Sequence, residues 1–340
     1  MGKNRVIILG IGDWGRKWLD LVHLNPRCEI VGVCGSEAEL TRAREAYGFA
    51  PSITYTDFRQ LVKSVKTDVA INVLPAVLHY EADCLAMESG INIISEKPLA
   101  TSWEQAKKLL DLKTTHYQKL KFAVSQNYRW RPHNQAIKNA ILNDMIGKLE
   151  YILLEFRQRE YMTDGFRGKL AYPLLEDMSI HHFDLLRFFT GGKCKRVSSQ
   201  SWRPEWSMYS GKACTNAIIE MDNGVHICYN GSWSSCGKDT SWDGNITITG
   251  SKGCLTLAPD NTVRFFKDII PDGRVVSQDT GTVLQQPDME FTDMEYMLGD
   301  FLNCLETGKA PETTLEDNIN SYQMVTACIK SGETGDWVTL

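Results

Sequence analysis

Long apolar runs are missing from this 340-residue sequence. The first, Val6–Leu9, is far too short for a signal-peptide core or a membrane span, and Gly10 breaks it at once. Long runs of one charge sign are missing as well. Basic residues gather only at Arg129–Arg131 and Lys193–Arg196, and a net charge of −5 supplies no field for nucleic acid or an anionic membrane. The ten cysteines include no Cys-x-x-Cys pair and no zinc-type spacing, which argues against a disulfide framework and against a metal site. Cys34 and Cys228 lie inside apolar stretches, where a thiol behaves as a small hydrophobe. These absences point to a reduced, cytoplasmic protein, in which the glycosylation-type triplets at Asn230 and Asn245 are chance matches. No internal repeat and no low-complexity segment is found.

What is there suffices for a large core: 43% of residues are hydrophobic and 23% charged, and the length suggests two domains. In the first 125 residues, short β-branched runs (Val6–Leu9, Ile30–Val33, Val69–Leu74, Ile91–Ser95, Phe122–Ser125) alternate with helical patterns at Arg16–Leu24, Glu37–Tyr47, Leu78–Glu88 and Ser102–Tyr117. Nearly unbroken apolar strands between helices imply a parallel sheet covered on both faces. Asp57 and Ser102 are plausible helix caps, and Gly48 and Gly90 stand where helices should stop. After about residue 145 the pattern changes. Partial alternation over Leu149–Arg159, then runs at Ala213–Met221, Val225–Gly231, Asn245–Thr249 and Leu255–Leu257, predict a large, mostly antiparallel sheet with one open face. A helix over about Glu176–Thr190, stopped by Gly191-Gly192, interrupts it, and two more helical patterns, Met289–Leu305 and Leu315–Ser331, end the chain. The expectation is an α/β protein with a doubly wound domain over 1–125 and an α/β domain over 126–340.

Gly10-Ile11-Gly12-Asp13-Trp14-Gly15 follows the first strand and opens the first helix, with the glycine spacing of a dinucleotide-binding turn. The first glycine makes the tight turn, the second admits the pyrophosphate, and the third lets helix pack on strand. Gly10, Gly12, Asp13, Trp14 and Gly15 are therefore placed against the cofactor, whose charge would rest on the helix N-terminus. The second strand ends Val33-Cys34-Gly35-Ser36-Glu37, with no acid at its tip. A small tip at Ser36 leaves room for a 2′-phosphate, which Arg16 or Arg42 could neutralise, so the pattern leans towards NADP over NAD. Glu37 stands a residue or two late and can equally be an acid in a helix's first turn.

Glu96-Lys97-Pro98 follows the strand Ile91–Ser95, at the carboxyl end where ligands bind open parallel sheets. A lysine there could hold or donate a proton beside the nicotinamide. Taken alone, the triplet reads more simply as a solvated lysine before a loop proline. In a helix, Asp177, His181 and Asp184 fall at i, i+4 and i+7 on one face, an arrangement suited to proton transfer at a substrate hydroxyl. Taken singly, Asp177 could be a cap and Asp184 a structural acceptor. His182, beside Phe183, is a packing or substrate-contact residue.

In this order and spacing, Gly10-x-Gly12-x-Trp14-Gly15, Glu96-Lys97-Pro98 and Asp177-x-x-x-His181-x-x-Asp184 resemble the glucose–fructose oxidoreductase / inositol dehydrogenase (Gfo/Idh/MocA) family. The resemblance covers nearly the whole chain, since Asn245–Leu257 also resembles that family's late sheet region. It implies a Rossmann domain followed by an α/β domain whose open sheet often joins subunits, hence a homo-oligomer, a dimer or tetramer. It further implies that Lys97, Asp177 and His181 carry catalysis: His181 exchanges the proton of the reacting hydroxyl, Lys97 hydrogen-bonds the same oxygen, and Asp177 orients the site. Leu74, Pro75 and His79 match a cofactor-contacting turn, Glu96 joins them, and Asn127 would approach the cofactor from the segment leaving the Rossmann domain. Ser179 replaces a glycine common in the family. The implied reaction is NAD(P)-dependent hydride transfer at a hydroxyl or ketone of a sugar, cyclitol or sugar derivative. Arg129, Arg157, Tyr161, His182 and Trp233 are candidate pocket groups. Two rivals remain: a cofactor-binding regulator without turnover, and an enzyme that oxidises a sugar transiently to eliminate or hydrolyse a bond.

Overall fold

The computed structural model describes residues 2–159, 165–269, 276–277 and 280–340. Its first unit comprises residues 1–126 and 294–319, and its second 127–293 and 320–340. Residues 294–319, expected in the second domain, thus pack with the first.

The first unit runs β1 (Asn4–Leu9), α1 (Asp13–Leu24), β2 (Cys28–Cys34), α2 (Glu37–Tyr47), β3 (Thr54–Tyr55), α3 (Phe58–Ser64), β4 (Val69–Asn72), α4 (Ala76–Glu88), β5 (Asn92–Ser95), α5 (Trp103–Thr115) and β6 (Phe122–Val124). All six strands are parallel, in the order β3-β2-β1-β4-β5-β6. Val6 to Leu9 are wholly buried because β1 lies between two neighbours with helices over both faces. Helix α1 turns Gly15, Trp18, Leu19 and Val22 inward, spaced three, four and seven residues apart on one face. Ser102 caps α5 through Gln105 N and Asp57 caps α3 through Arg59 N, while Gly48 closes α2 in the left-handed region at φ 70°.

The second unit begins with a 3₁₀ turn (Asn127–Trp130) and α6 (Pro132–Leu142), then β7 (Leu149–Arg157). A π-helical turn over Leu174–Ser179 runs into α7 (Ile180–Thr190), which Gly191 ends at φ 67°. There follow β8 (Cys194–Trp202), β9 (Cys214–Met221), β10 (His226–Ser232), β11 (Asn245–Gly250), β12 (Gly253–Leu257), β13 (Val263–Ile269), β14 (Val276–Ser277) and β15 (Thr282–Val283). Helices α8 (Asp293–Thr307) and α9 (Leu315–Thr334) and strand β16 (Val338–Thr339) complete the chain. The large sheet has the order β14-β13-β12-β11-β7-β10-β9-β8-β16, with β15 beside β13. Among the described residues of this sheet, only β7 and β10 pair in parallel.

Alternation along these strands separates two faces. Ile152, Leu154 and Phe156 of β7, Ile219 of β9, and Ile227 and Tyr229 of β10 are buried, and Phe183 of α7 packs edge-on against Tyr229 at 5.1 Å. The opposite face leaves Tyr151, Leu153 and Ile218 exposed. Strand β8 escaped the periodicity reading because a register shift between Cys194 and Arg196 breaks its alternation. Among the described residues, no helix is long and apolar enough to cross a membrane.

Candidate functional site

In the first unit, the chemistry-bearing residues gather where β1, β2, β4 and β5 end. Gly10 adopts φ 94°, and a Cβ there would stand 2.5 Å from the Val73 carbonyl oxygen. A Cβ on Gly15 would stand 2.1 Å from the Gly10 carbonyl oxygen. Both obstacles are backbone, so only glycine fits. Gly12 caps α1, and no side chain bonds the helix's first N–H groups. That turn leaves the positive end of α1 open to an anion, and so it fits a dinucleotide pyrophosphate.

The neighbours of this loop are held in ways the sequence did not disclose. Trp14 Nε1 and Trp18 Nε1 both donate to Glu96 Oε1, at 2.8 and 2.7 Å, and Lys97 N donates to Glu96 Oε2 at 3.2 Å. Glu96, expected at the cofactor, is buried and instead ties the glycine loop to the turn that carries Lys97. The Lys97–Pro98 peptide is cis. Asp13 projects into solvent and accepts from Arg16 at 2.8 Å. His79, also expected at the cofactor, is buried with Nδ1 2.8 Å from the Pro98 oxygen and Nε2 2.7 Å from the Leu74 oxygen. Both nitrogens are therefore spent on holding the Leu74-Pro75 turn to the turn after β5. Burial lowers the pKa of this ring, opposed by its bonds to the two carbonyls and by the Glu96 charge. Behind it, Asp83 accepts from Asn72 at 2.8 Å and Ser95 at 2.7 Å, and burial pushes its carboxyl up to about 7.

The tip of β2 differs from expectation. Ser36 caps α2, and the side chain of Glu39 folds back on it: Oε2 accepts from Ser36 N at 2.7 Å and from Ser36 Oγ at 2.8 Å. The other oxygen, Oε1, lies 3.3 Å from where a Cβ on Gly12 would stand. A carboxylate thus fills the tip that seemed open to a 2′-phosphate. Arg16 is paired with Asp13, and Arg42 is exposed on α2.

In the second unit, the acid–imidazole motif straddles the change from π to α helix. The wider π turn carries Asp177, whose Oδ2 accepts from Arg167 Nε at 2.6 Å. His181 lies one turn on, its ring stacked on Tyr128 at 4.4 Å and 10°. The Arg131 guanidinium stands 3.4 Å from the centroid of the Tyr128 ring. Arg131 in turn donates to Asp243 at 2.6 Å and Asp293 at 3.0 Å, and Asn134 joins Asp243 to the Tyr128 carbonyl. The imidazole is thereby fixed by an aromatic ring that a buried ionic network supports. Sequence reading missed Arg167, Arg131 and Asp243 because they sit in loops and turns, without periodicity to mark them.

Other candidates are already committed. Arg129 forms a buried fork with Asp184, at 2.6 and 2.7 Å, and Ser321 Oγ also donates to Asp184 at 2.9 Å. His182 is fully buried between Tyr229 OH and the Trp242 carbonyl, each 3.0 Å away, and burial lowers its pKa to about 4. It is a core residue, not a substrate contact. Ser179 bonds the same Tyr229 hydroxyl at 2.8 Å. Trp233 is buried and stacked on Tyr209 at 5.6 Å. Arg157 pairs with Glu155 at 2.6 Å, on the opposite face of β7 from Phe156, which packs on His182. Asn127 donates to Asp293 at 2.9 Å. Tyr161 lies outside the described residues.

Comparison with known proteins identifies the family. A family model for an oxidoreductase family with an NAD-binding Rossmann fold matches residues 4–123, and one for its C-terminal α/β domain matches 138–340. D-glucoside 3-dehydrogenase of Escherichia coli is 25% identical, across 99% of this chain and 97% of its own. D-apiose dehydrogenase of Paraburkholderia graminis is 22% identical, across 98% and 88%. An oxidoreductase from Agrobacterium radiobacter, solved with NAD+, L-tartaric acid and magnesium, shares the fold at a TM-score of 0.84 and 18% identity, over 99% of this chain and 98% of that one.

Proposed function

Because this chain belongs to the Gfo/Idh/MocA oxidoreductase family, we propose that it is a dehydrogenase acting on a secondary hydroxyl or ketone of a sugar, cyclitol or related polyol. The observation that carries the reading is the Asp177–His181 pair, with its carboxylate held by Arg167 and its imidazole held by Tyr128, in a chain whose glycine turn fits a dinucleotide. The nicotinamide, when bound, accepts or supplies the hydride. His181 takes the proton from the reacting hydroxyl, or returns it in reduction. Lys97 donates a hydrogen bond to the same oxygen, and Asp177 orients the polar groups around it. The substrate class follows the sugars named for the two dehydrogenase relatives.

A panel of sugars and cyclitols, each tested with NAD+ and NADP+, should yield reduced-nicotinamide absorbance with at least one substrate, and Gly15→Ala should abolish it. Product formed with no net absorbance change would replace this reading with transient oxidation. Bound cofactor with no product anywhere in the panel would favour a regulator.

The open sheet face is read as a subunit interface, because Tyr151 and Leu153 of β7 and Ile218 of β9 are large hydrophobic side chains exposed on the two strands that flank β10. Sedimentation should find a species heavier than the 38.4 kDa chain, and Leu153→Lys should shift it to the monomer. A monomeric wild type would end that assignment.

A further inference from the structure

We infer that Glu39 reads the adenosine ribose and makes the protein select NAD over NADP. The inference rests on the cofactor site proposed above and adds the residue that chooses between its two forms. In a dinucleotide-binding turn the backbone at the second glycine approaches the cofactor, and an acid near the end of the second strand binds the ribose hydroxyls. This chain has no acid at that strand end, where Cys34-Gly35-Ser36 stand. The carboxylate arrives from the first turn of α2 instead. Glu39 Oε2 is held by the backbone and hydroxyl of Ser36, so the side chain has one fixed position rather than several. Oε1 is thereby directed towards Gly12, 3.3 Å from the site of an ideal Cβ.

The two oxygens have different duties. One closes a capping box and stabilises the start of α2. The other is an acceptor beside the second glycine, suited to the two hydroxyl donors of a ribose. A 2′-phosphate is a dianion with no such donors, and it would meet a carboxylate there. Glu37, the nearer acid in sequence, is 77% exposed in its side chain and lies 3.7 Å from Arg44. Its exposure and its ion pair with Arg44 place it on the outer surface of α2, away from the glycine turn. Gly35 is small for the same reason: a Cβ there would press within 2.6 Å of Ile11 and 3.1 Å of Glu39 Oε2, displacing the carboxylate.

Calorimetric titration of the full chain with NAD+ and with NADP+ tests this without requiring a substrate. The wild type should bind NAD+ at least about tenfold more tightly, the scale of a hydrogen bond to a charged group. Glutamine also serves a capping box, so Glu39→Gln should keep the thermal midpoint yet narrow the NAD+/NADP+ ratio by about tenfold. Glu37→Gln should leave the ratio unchanged. A wild type that prefers NADP+, an unaltered ratio in Glu39→Gln, or an altered ratio in Glu37→Gln each overturns the inference while leaving the cofactor site intact. A folded wild type that binds neither nucleotide overturns the cofactor reading itself, and this inference with it.

Discussion

Replacing His181 with alanine should lower turnover by roughly 10²–10⁴-fold, the range for losing a general acid–base group. Cofactor affinity should stay within about twofold, since the glycine turn holds the pyrophosphate and the imidazole exchanges the proton of the substrate. Asp177→Asn should also lower turnover, and its Arg167 partner would then face an amide instead of a carboxylate. Tyr128→Leu separates chemistry from positioning. It removes the ring that holds His181 but keeps the imidazole itself, so turnover should fall less and the pH–rate profile should move. Single-turnover rates across pH, set beside nucleotide titrations, check all three variants. Turnover within twofold of wild type in His181→Ala would remove this residue from the reaction.

The second large effect concerns stability. Asp243→Ala should destabilise the second unit by about 3–5 kcal/mol, because it leaves part of a buried ionic network uncompensated. Asp243 is 1% exposed and accepts from Arg131 and Asn134, with His133 Nε2 3.2 Å away. Burial alone would raise its pKa. The neighbouring His133 imidazole, the Arg131 charge and the Asn134 bond outweigh burial and hold it at about 2. Its folded pKa thus lies below the ordinary carboxylate value. The stabilisation, about 2 kcal/mol by linkage, is complete above pH 4–5 and drains as pH falls towards 2. Urea midpoints measured at neutral pH and near pH 3 should show the wild type losing about half of this stabilisation and Asp243→Asn lacking it. Equal pH slopes for the two proteins would mean that the network contributes nothing through this carboxylate. Because Asp243 supports Arg131 and Asn134, and these hold Tyr128, the same variant should lower turnover in whatever fraction stays folded.

Much of the architecture could be read from local patterns. The unbroken runs at Val6–Leu9 and Val69–Leu74 reported strands buried on both faces, and the alternation over Leu149–Arg159 reported a strand with one open face, observed over Leu149–Arg157. Caps at Asp57 and Ser102 and the stop at Gly48 were legible because each acts within one turn of its own helix. The Glu39 contact was legible in principle too, since Ser36-x-x-Glu39 has the spacing of a capping box. The strand tip itself holds no acid, and the carboxylate comes from the first turn of the following helix. Strand β8 stayed hidden for a different reason, a bulge that shifts its residues out of alternation.

The charged candidates show where such reading ends. Arg129, Arg157, His79 and Glu96 all looked available for ligands, because a sequence displays a side chain's donors and acceptors without their partners. For Arg129 and Glu96 the partners lie far off in the chain: Asp184 is 55 residues from Arg129, and Trp14 and Trp18 are 82 and 78 residues from Glu96. The sequence by itself determined the strand–helix order, the glycine turn and the acid–imidazole spacing, because these depend on residues within a few turns of one another. Only the tertiary structure decided which polar groups are spent on the scaffold, because a buried donor or acceptor must find a partner in the folded chain.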